Sequence, residues 1–246
     1  MGADIVAAVR QIANYGWTLA DWGSIAAFLS LISLLPILYN AVLQLNDRRK
    51  ARRARVIRSA RSDTWHLIRP NYGQKMTRVE DVMACQEVFA KLTSMGFKVT
   101  VGGDNDQHRP RDANLVLVCG PKGNKASAKF AHEVSLPFEV IENNGAWECR
   151  DNNTHQVYKS PLDNGHEADI AIFGKAHDQA GNSCYLLWGL HGPGTVGAAR
   201  AFANDRFLGD TWKEVKDSEF IGLIYLGFTS LDDISVMRWL AGPIRL

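Results

Sequence analysis

The sequence predicts one N-terminal transmembrane helix followed by an α/β domain, with a Rossmann-like or flavodoxin-like, mostly parallel sheet and an antiparallel hairpin insert. Three features predict this class. A long uncharged segment precedes a cluster of basic residues, short apolar runs then alternate with helical patterns, and an Asn-Gly turn separates two short strands. Alternating strands and helices favour a parallel sheet that is covered by helices on both faces.

The membrane helix is predicted from the distribution of charge. Residues 22–46 contain no charged side chain, and eight basic residues against one acidic residue follow in 46–61. About 20 apolar residues span a bilayer as a helix, and basic residues mark its cytoplasmic end. A secretory signal peptide would have its basic residues before the apolar run. The other alternative, a buried helix of a soluble protein, leaves the basic cluster unexplained.

These boundaries divide the chain into four predicted parts: a short extracytoplasmic N-terminus (1–21), the transmembrane helix (22–46), a basic juxtamembrane linker (47–62) and an α/β domain on the cytoplasmic side of the inner membrane (63–246). The linker is predicted to lie on anionic lipid, and an anionic partner is the alternative. Because the linker carries the excess positive charge, the domain itself is mildly acidic. A mildly acidic domain argues against a nucleic-acid partner.

The elements of the domain are predicted from local patterns. Thr77 and Glu80 have the spacing of a capping box, so a helix is expected from residue 78. Gly145 after two asparagines predicts a hairpin turn, and uninterrupted apolar runs predict central strands. The predicted strands are 65–68, 97–101, 114–119, 138–142, 147–149, 155–158, 169–173, 185–190 and 220–225, and the predicted helices are 78–94, 125–134 and 196–204.

Two glycine-containing loops, each between a strand and a helix, are predicted to bind a ligand. Ligands of such sheets bind beyond the carboxyl ends of the strands. The first loop contains Gly120, Gly123 and Asn124, and the asparagine amide could recognise a base or a ribose. Lys175, after another apolar run, could neutralise a phosphate; a solvated lysine is the alternative.

The second loop has the more specific pattern. It contains His191, Gly192, Gly194 and Thr195, and it leads into a helix of small residues. Glycine lets a backbone approach a ligand closely, and a helix N-terminus offers free N–H groups and partial positive charge, so this loop predicts a phosphate site. The alternative is a tight turn in which Thr195 only caps the helix. The loop matches neither a Walker A nor a GxGxxG motif.

Catalytic residues are marked less clearly. Glu142 or Asp169 could be the carboxylate of an enzyme that cleaves nucleosides or NAD. His191 could be a general acid or contact a base, and a structural role is the alternative. No serine elbow, Cys/His pair or kinase signature is visible in the sequence. His166, Glu167 and Asp169 lack the spacing of metal ligands, so neither a metal nor a cofactor is predicted. The four cysteines form no CxxC pair and are predicted to be reduced thiols.

Three sequence blocks resemble a pattern of poorly characterised bacterial proteins: LVLVCGPKGN at 115–124, DIAIFGK at 169–175 and GLHGPGTVGA at 189–198. In that pattern one strand ends in a glycine-rich turn, a second starts with aspartate, and a third ends in a GxxGxGTxGA-like turn. A short membrane region joined to a soluble domain also resembles the membrane-anchored effectors of bacterial cyclic-nucleotide antiphage systems. The resemblance implies a nucleotide ligand and a role in defence or cell death, and it identifies no catalytic residue.

The leading hypothesis is a membrane-anchored nucleotide-recognition domain that acts through its membrane segment, for example by clustering into a homo-oligomer. One rival is a tethered nucleosidase or NAD-cleaving enzyme. The other is a non-catalytic scaffolding protein in which the glycine loops are only tight turns. The order of the strands in the sheet decides whether the two loops meet in one cleft.

Overall fold

The computed structural model describes residue 57 and residues 62–70, 78–105, 112–231 and 233–246. The predicted extracytoplasmic N-terminus and transmembrane helix lie outside these residues, as does Thr77. Among the described residues, no helix is long and apolar enough to cross a bilayer.

The described part is a mixed α/β domain, as predicted. Its elements in chain order are β1 (Thr64–Arg69), α1 (Val79–Ser94), β2 (Lys98–Gly103), β3 (Asn114–Val118), α2 (Lys125–Glu133), β4 (Phe138–Asn143), β5 (Ala146–Asp151), β6 (Val157–Lys159), a 3-10 turn (Pro161–Asn164), β7 (Ala168–His177), β8 (Ser183–Gly189), α3 (Gly192–Ala203), α4 (Asp205–Val215), β9 (Phe220–Ser230) and β10 (Asp233–Arg245).

Seven strands form the central sheet in the order β10-β9-β7-β8-β3-β1-β2. Strands β2, β1, β3 and β8 pair in parallel, whereas β7, β9 and β10 each pair antiparallel to their neighbours. Five strands therefore run in one direction, and β7 and β10 run in the other. Strand β7 opposes β8 because only residues 178–182 connect them, and a parallel pair would need a crossover of about a dozen residues or more.

The predicted hairpin insert is present, and it belongs to a separate sheet. Strands β4, β5 and β6 form a three-stranded antiparallel sheet. Asn144 and Gly145 form its turn with φ angles of 52° and 81°, which is the left-handed region that such a turn requires. Phe138 and Cys149 of this small sheet pack in the same core as Phe130 of α2. The hairpin is therefore fixed next to the central sheet.

Alternate residues of the central strands face two separate cores. Val116 and Val118 face the core formed with α1, α3 and α4. Leu115 and Leu117 face the core formed with α2 and the small sheet. All four are almost completely buried, as a central strand covered on both faces requires.

The prediction differs from the structure at several helix and strand ends. Helix α1 has Arg78 as its N-cap, without a side-chain capping bond, instead of the predicted Thr77. Helix α3 begins at Gly192, one turn before the predicted start. Helix α4 and strand β10 are absent from the prediction. The prediction ends with the strand at 220–225, but in the structure β10 follows β9.

The small residues of α3 let this helix lie close to the sheet. A Cβ atom added to Gly197 would lie 2.5 Å from Cδ1 of the buried Leu226. Gly209 of α4 is a matched control, because a Cβ there meets nothing within 4 Å. We expect Gly197→Ala to destabilise the domain by about 1–3 kcal/mol through overpacking and Gly209→Ala to stabilise it by about 0.5–1 kcal/mol. Urea unfolding of both variants tests this, and equal effects would contradict the close approach of α3.

Candidate functional site

A cleft of about 280 Å³ lies where β3 and β8 end. Because these strands are parallel neighbours, the loops that follow them leave the sheet at the same edge. Both predicted glycine loops therefore contribute to one cleft. Its lining residues come from these loops, from the start of α1 and from the hairpin: Arg78, Cys119, Lys122, Gly123, Trp147 and His191.

The cleft adjoins the topological switch point of the sheet. From β1 the chain passes to β2 on one side, and β3 then pairs on the other side of β1. Open α/β sheets bind their ligands at such a point, beyond the carboxyl ends of the strands. Arg78 reaches the cleft from the end of the β1–α1 connection. The position of the cleft thus agrees with the general rule for sheets of this type.

Lys122 joins three of the segments that surround the cleft. Its ammonium group donates a hydrogen bond to the carbonyl oxygen of Leu190 and lies 4.9 Å from the ring centroid of Trp147. Burial lowers the pKa of Lys122, and the nearby Cys119 and Asp169 oppose this fall. The lysine therefore links the β3 loop to the β8 loop and to the hairpin, and it places a cation beside an aromatic face.

His191 lies in the wall of the cleft as the N-cap of α3. Its Nε2 atom is 2.9 Å from Oδ1 of Asp163, which is within ion-pair distance. Within the described ranges, Nε2 has no partner with the geometry of a hydrogen bond. Asp163 comes from the 3-10 turn before β7. This turn therefore brings an acidic side chain to the imidazole.

Asp169 occupies the N-terminus of α3, where the sequence predicts a phosphate. Its Oδ2 accepts hydrogen bonds from the backbone N–H groups of His191 (3.0 Å) and Gly194 (2.8 Å), and its Oδ1 accepts from the Ser160 hydroxyl (2.6 Å) and the Ile170 N–H (2.8 Å). The residue is completely buried. Burial raises the pKa of its carboxyl group, and these donors oppose the rise.

The prediction of a phosphate cradle at Gly192–Gly194 is therefore wrong in detail. A carboxylate of the protein fills the place of the anion, and a Cβ on Gly194 would lie 2.4 Å from Oδ2 of Asp169. A Cβ on Gly192 would lie 2.8 Å from Cγ of Glu80, so that glycine accommodates α1. Since all its oxygens are engaged and buried, Asp169 does not present a catalytic carboxylate to the cleft either.

Asn124 has a structural role instead of the predicted contact with a base or ribose. Its Oδ1 caps α2 by accepting from the N–H groups of Ala126 (2.9 Å) and Ser127 (3.2 Å). Its Nδ2 donates to the carbonyl oxygens of Ile68 (3.1 Å) and Val118 (2.8 Å). The amide is completely buried and has used both donors, so it holds β1 and β3 together at the switch point.

The alternative interpretation of the loop makes Thr195 the N-cap of α3, but the structure places His191 there. Thr195 is buried, and its hydroxyl oxygen accepts from the N–H of Gly189 at 3.3 Å. Gly120 is also buried, with ordinary room for a Cβ 3.4 Å from Cβ of Trp188. Of the eight predicted ligand residues, two line the cleft directly, namely Gly123 and His191.

Lys175 lies far from the cleft edge, which corrects the prediction that it ends a strand there. Strand β7 continues to His177 and runs antiparallel to β8, so Lys175 pairs with Tyr185 near the start of β8. Burial lowers the pKa of Lys175, and Asp217 and Glu219 oppose this fall. The lysine therefore belongs to the opposite edge of the sheet.

Glu142, the other candidate carboxylate, is exposed on β4 and pairs in register with Trp147 of β5. It lies beside the residues that line the cleft and is not one of them.

Another, larger hollow of about 520 Å³ lies between α2 and β4. Aliphatic and aromatic side chains form much of its wall, among them Leu136, Phe138 and Val140. Its acidic residue, Glu139, is 2.6 Å from the guanidinium group of Arg150. This hollow does not combine cations with an open aromatic face, so the smaller cleft is the better candidate for a polar ligand.

Four residues of the cleft are missing from the predicted site: Arg78, Cys119, Lys122 and Trp147. Lys122 was recognisable in part, because it lies inside the first glycine loop. Trp147 follows the Asn-Gly turn, and an exposed hairpin tip gives no indication of which sheet edge it approaches. Cys119 has a φ of 70°, and no sequence pattern indicates a left-handed cysteine.

No protein-family model and no curated protein matches this sequence. The fold and the site therefore define the class of protein by themselves. It is a mixed α/β domain with a cationic and aromatic cleft beside the switch point of its sheet.

Proposed function

We propose that this chain is a membrane-anchored nucleotide-recognition domain that serves as a signalling or antiphage-defence effector, and that it binds a mononucleotide-type ligand in the cleft. The observation that carries the proposal is the meeting of Arg78, Lys122 and Trp147 at the carboxyl ends of parallel strands. Two cations suit a phosphate group, and an indole face suits a base.

The anion is recognised by side chains in this proposal and not by a helix N-terminus. The N-terminus of α3 is filled by Asp169, and that of α2 by Asn124 and Asp104, whose Oδ2 accepts from the Lys125 N–H at 2.8 Å. A phosphate would therefore lie between Arg78 and Lys122. A volume of about 280 Å³ is near the lower limit for ligand pockets, which favours one nucleotide unit over a dinucleotide.

Titration calorimetry of the full-length chain in detergent with ADP, a cyclic dinucleotide and NAD tests the ligand class. We expect ADP to bind and Lys122→Met to weaken its binding about tenfold, because a charge-assisted contact is lost. Lys213→Met is the matched control, since Lys213 lies on the surface of α4 and pairs with Asp210 at 2.7 Å. Absence of binding by all three compounds would refute the proposal.

The aromatic contact has its own test. We expect Trp147→Ala to weaken ADP binding by about tenfold or more, because stacking on a base contributes ~1–3 kcal/mol, whereas Trp147→Phe retains part of this stacking. If both variants bind as the unchanged protein does, Trp147 is not the base platform. Ribose phosphate, which lacks the base, should bind equally to all three proteins.

The membrane part of the proposal rests on the uncharged residues 22–46 and the basic residues that follow. We expect the full-length chain to stay in the membrane fraction after an alkaline wash, and a chain that lacks residues 1–46 to leave it. Release of the full-length chain by alkali would show that these residues do not span the bilayer. Crosslinking with and without ADP then measures whether the ligand promotes clustering.

A further inference from the structure

Four groups that can move protons or stabilise negative charge meet in the cleft. The thiol of Cys119, the imidazole of His191, the ammonium group of Lys122 and the guanidinium group of Arg78 line the same 280 Å³. Cys119 and Lys122 interact electrostatically. A thiol among cationic groups is stabilised as the thiolate, which is the nucleophilic form. Nucleotide recognition alone does not require this thiol.

The backbone holds Cys119 in the cleft. It follows β3 directly, and its N–H donates to the carbonyl of Leu187 at 3.1 Å, while its carbonyl accepts from the Ser127 hydroxyl at 2.8 Å. Its φ of 70° makes the chain turn sharply between strand and helix.

The carboxylate of Asp163 lies beside His191, with its Oδ1 2.9 Å from Nε2, which is within ion-pair distance but lacks the geometry of a hydrogen bond. A proton on Nε2 leaves the lone pair on Nδ1, so the neutral imidazole can act as a base through Nδ1. A nucleophile, a base and a carboxylate that orients the base are the parts of an acyl-transfer site.

The other three cysteines do not line the cleft, although Cys119 is buried to the same degree as Cys85, with 6% and 7% of the residue exposed. Burial raises the pKa of the Cys85 thiol to about 12, with a contribution from Asp81, and that of the Cys149 thiol to about 12, with a contribution from Asp151. Cys184 is completely buried in the core. Buried thiols beside a carboxylate or inside an apolar core are inert. The chain thus contains three internal controls for the reactivity of Cys119.

We propose that the cleft also performs acyl transfer through a thioester on Cys119, with His191 as the base and Asp163 as its positioning residue. His191 takes the proton of the thiol, and the sulfur bonds to the carbonyl carbon of an ester or amide. The bond to the leaving group breaks, and that group receives the proton from His191. Water then attacks the thioester, which releases a carboxylic acid and restores the thiol.

The substrate class follows from the rest of the cleft. Arg78 and Lys122 favour an ester or amide that also carries a phosphate or carboxylate, and Trp147 favours one with a planar ring. The substrate is therefore an acylated ligand of nucleotide type. This last step rests on the proposed function, whereas the covalent step rests only on the groups named above.

Alkylation of the full-length protein, followed by peptide mass mapping, tests the nucleophile. We expect iodoacetamide to label Cys119 at least about tenfold faster than Cys85 or Cys149. The ratio of the labelling rate with iodoacetate to that with iodoacetamide should be higher at Cys119 than at the other cysteines, because the negative charge of iodoacetate is attracted by Arg78 and Lys122. His191→Ala should slow the labelling about tenfold, and Asp163→Asn should shift its midpoint to higher pH, because the imidazolium that stabilises the thiolate loses its carboxylate. Cys85→Ala should change none of these rates.

Acylation by p-nitrophenyl acetate completes the test. We expect a burst of p-nitrophenol and one added acetyl group on Cys119, both absent in Cys119→Ser. If ADP binds but Cys119 is alkylated no faster than Cys85, the acyl-transfer proposal is overturned and the binding proposal stands. If Cys119 is acylated but no nucleotide binds, acyl transfer is supported and nucleotide recognition fails. Retention of ADP binding by Cys119→Ser shows that the variant is folded.

Discussion

Asp169→Ala is expected to destabilise the domain more than any other single change in the cleft region, by about 4 kcal/mol. The substitution leaves four donors without their acceptor: the N–H groups of Ile170, His191 and Gly194 and the hydroxyl of Ser160. Each buried donor left unsatisfied costs about 1–3 kcal/mol. The start of α3 also loses the negative charge that its dipole favours. A domain at the lower end of the typical range of free energies of unfolding, about 5–15 kcal/mol, would then be close to unfolding.

Urea unfolding measures this loss through tryptophan fluorescence, because Trp65 and Trp188 are almost completely buried. Asp169→Asn is the informative intermediate. It keeps one acceptor oxygen and turns an NH₂ group toward two donors, so we expect it to lose about half as much as alanine does. Asp210→Ala, which removes an exposed pair with Lys213, should change the stability by less than about 0.5 kcal/mol. A loss below about 1 kcal/mol for Asp169→Ala would contradict the network.

The contact between Asp169 and the start of α3 could not be predicted from the sequence. The sequence places this aspartate at the start of an apolar strand and the glycines 23 and 25 residues later, without any indication that they meet. They meet because β7 runs antiparallel to β8, so the start of β7 lies beside the end of β8. Hydrophobic periodicity predicts that a strand exists and is buried, but not the direction of its neighbour. The free N–H groups of this loop were therefore predictable, but not the carboxylate of the same chain that accepts from them.

The direction of the parallel strands, in contrast, was predictable from the order of strands and helices along the chain. Strands β3 and β8 are uninterrupted apolar runs, each followed by a loop and a helix, and this order favours parallel strands. Their shared direction follows from that order, whereas their pairing, which brings both loops to one cleft, does not. Helix α4 carried a local signal that the prediction missed, since Oδ1 of Asn204 caps it by accepting from Arg206 (2.9 Å) and Phe207 (3.0 Å). Strand β10 was not predicted because it contains a Gly-Pro pair, and these residues are uncommon inside strands other than edge strands.

Removal of the Asn124 amide is expected to have the second largest effect, a loss of about 3 kcal/mol in Asn124→Ala. This side chain has two separable roles. Its oxygen caps α2, and its NH₂ group ties the carbonyls of Ile68 in β1 and Val118 in β3. Alanine removes both roles. Loss of a helix cap alone typically costs ~1 kcal/mol, so the remainder measures the tie between the strands.

Asn124→Asp separates the two roles, because a carboxylate still caps α2 but cannot donate to the two carbonyls. We expect it to lose at least as much stability as alanine, since its second oxygen faces two carbonyl oxygens in a buried site. Asn204→Ala is the matched control, because Asn204 caps α4 without joining strands, and its loss should be about 1 kcal/mol. Amide exchange should speed up at the carboxyl ends of β1 and β3 in Asn124→Asp and stay unchanged in Asn204→Ala. Equal stability of Asn124→Asp and the unchanged protein would mean that the cap is the whole role of Asn124. The carboxyl ends of β1 and β3 would then be held together by their backbone pairing alone, and the cleft over β3 and β8 would not depend on the Asn124 side chain.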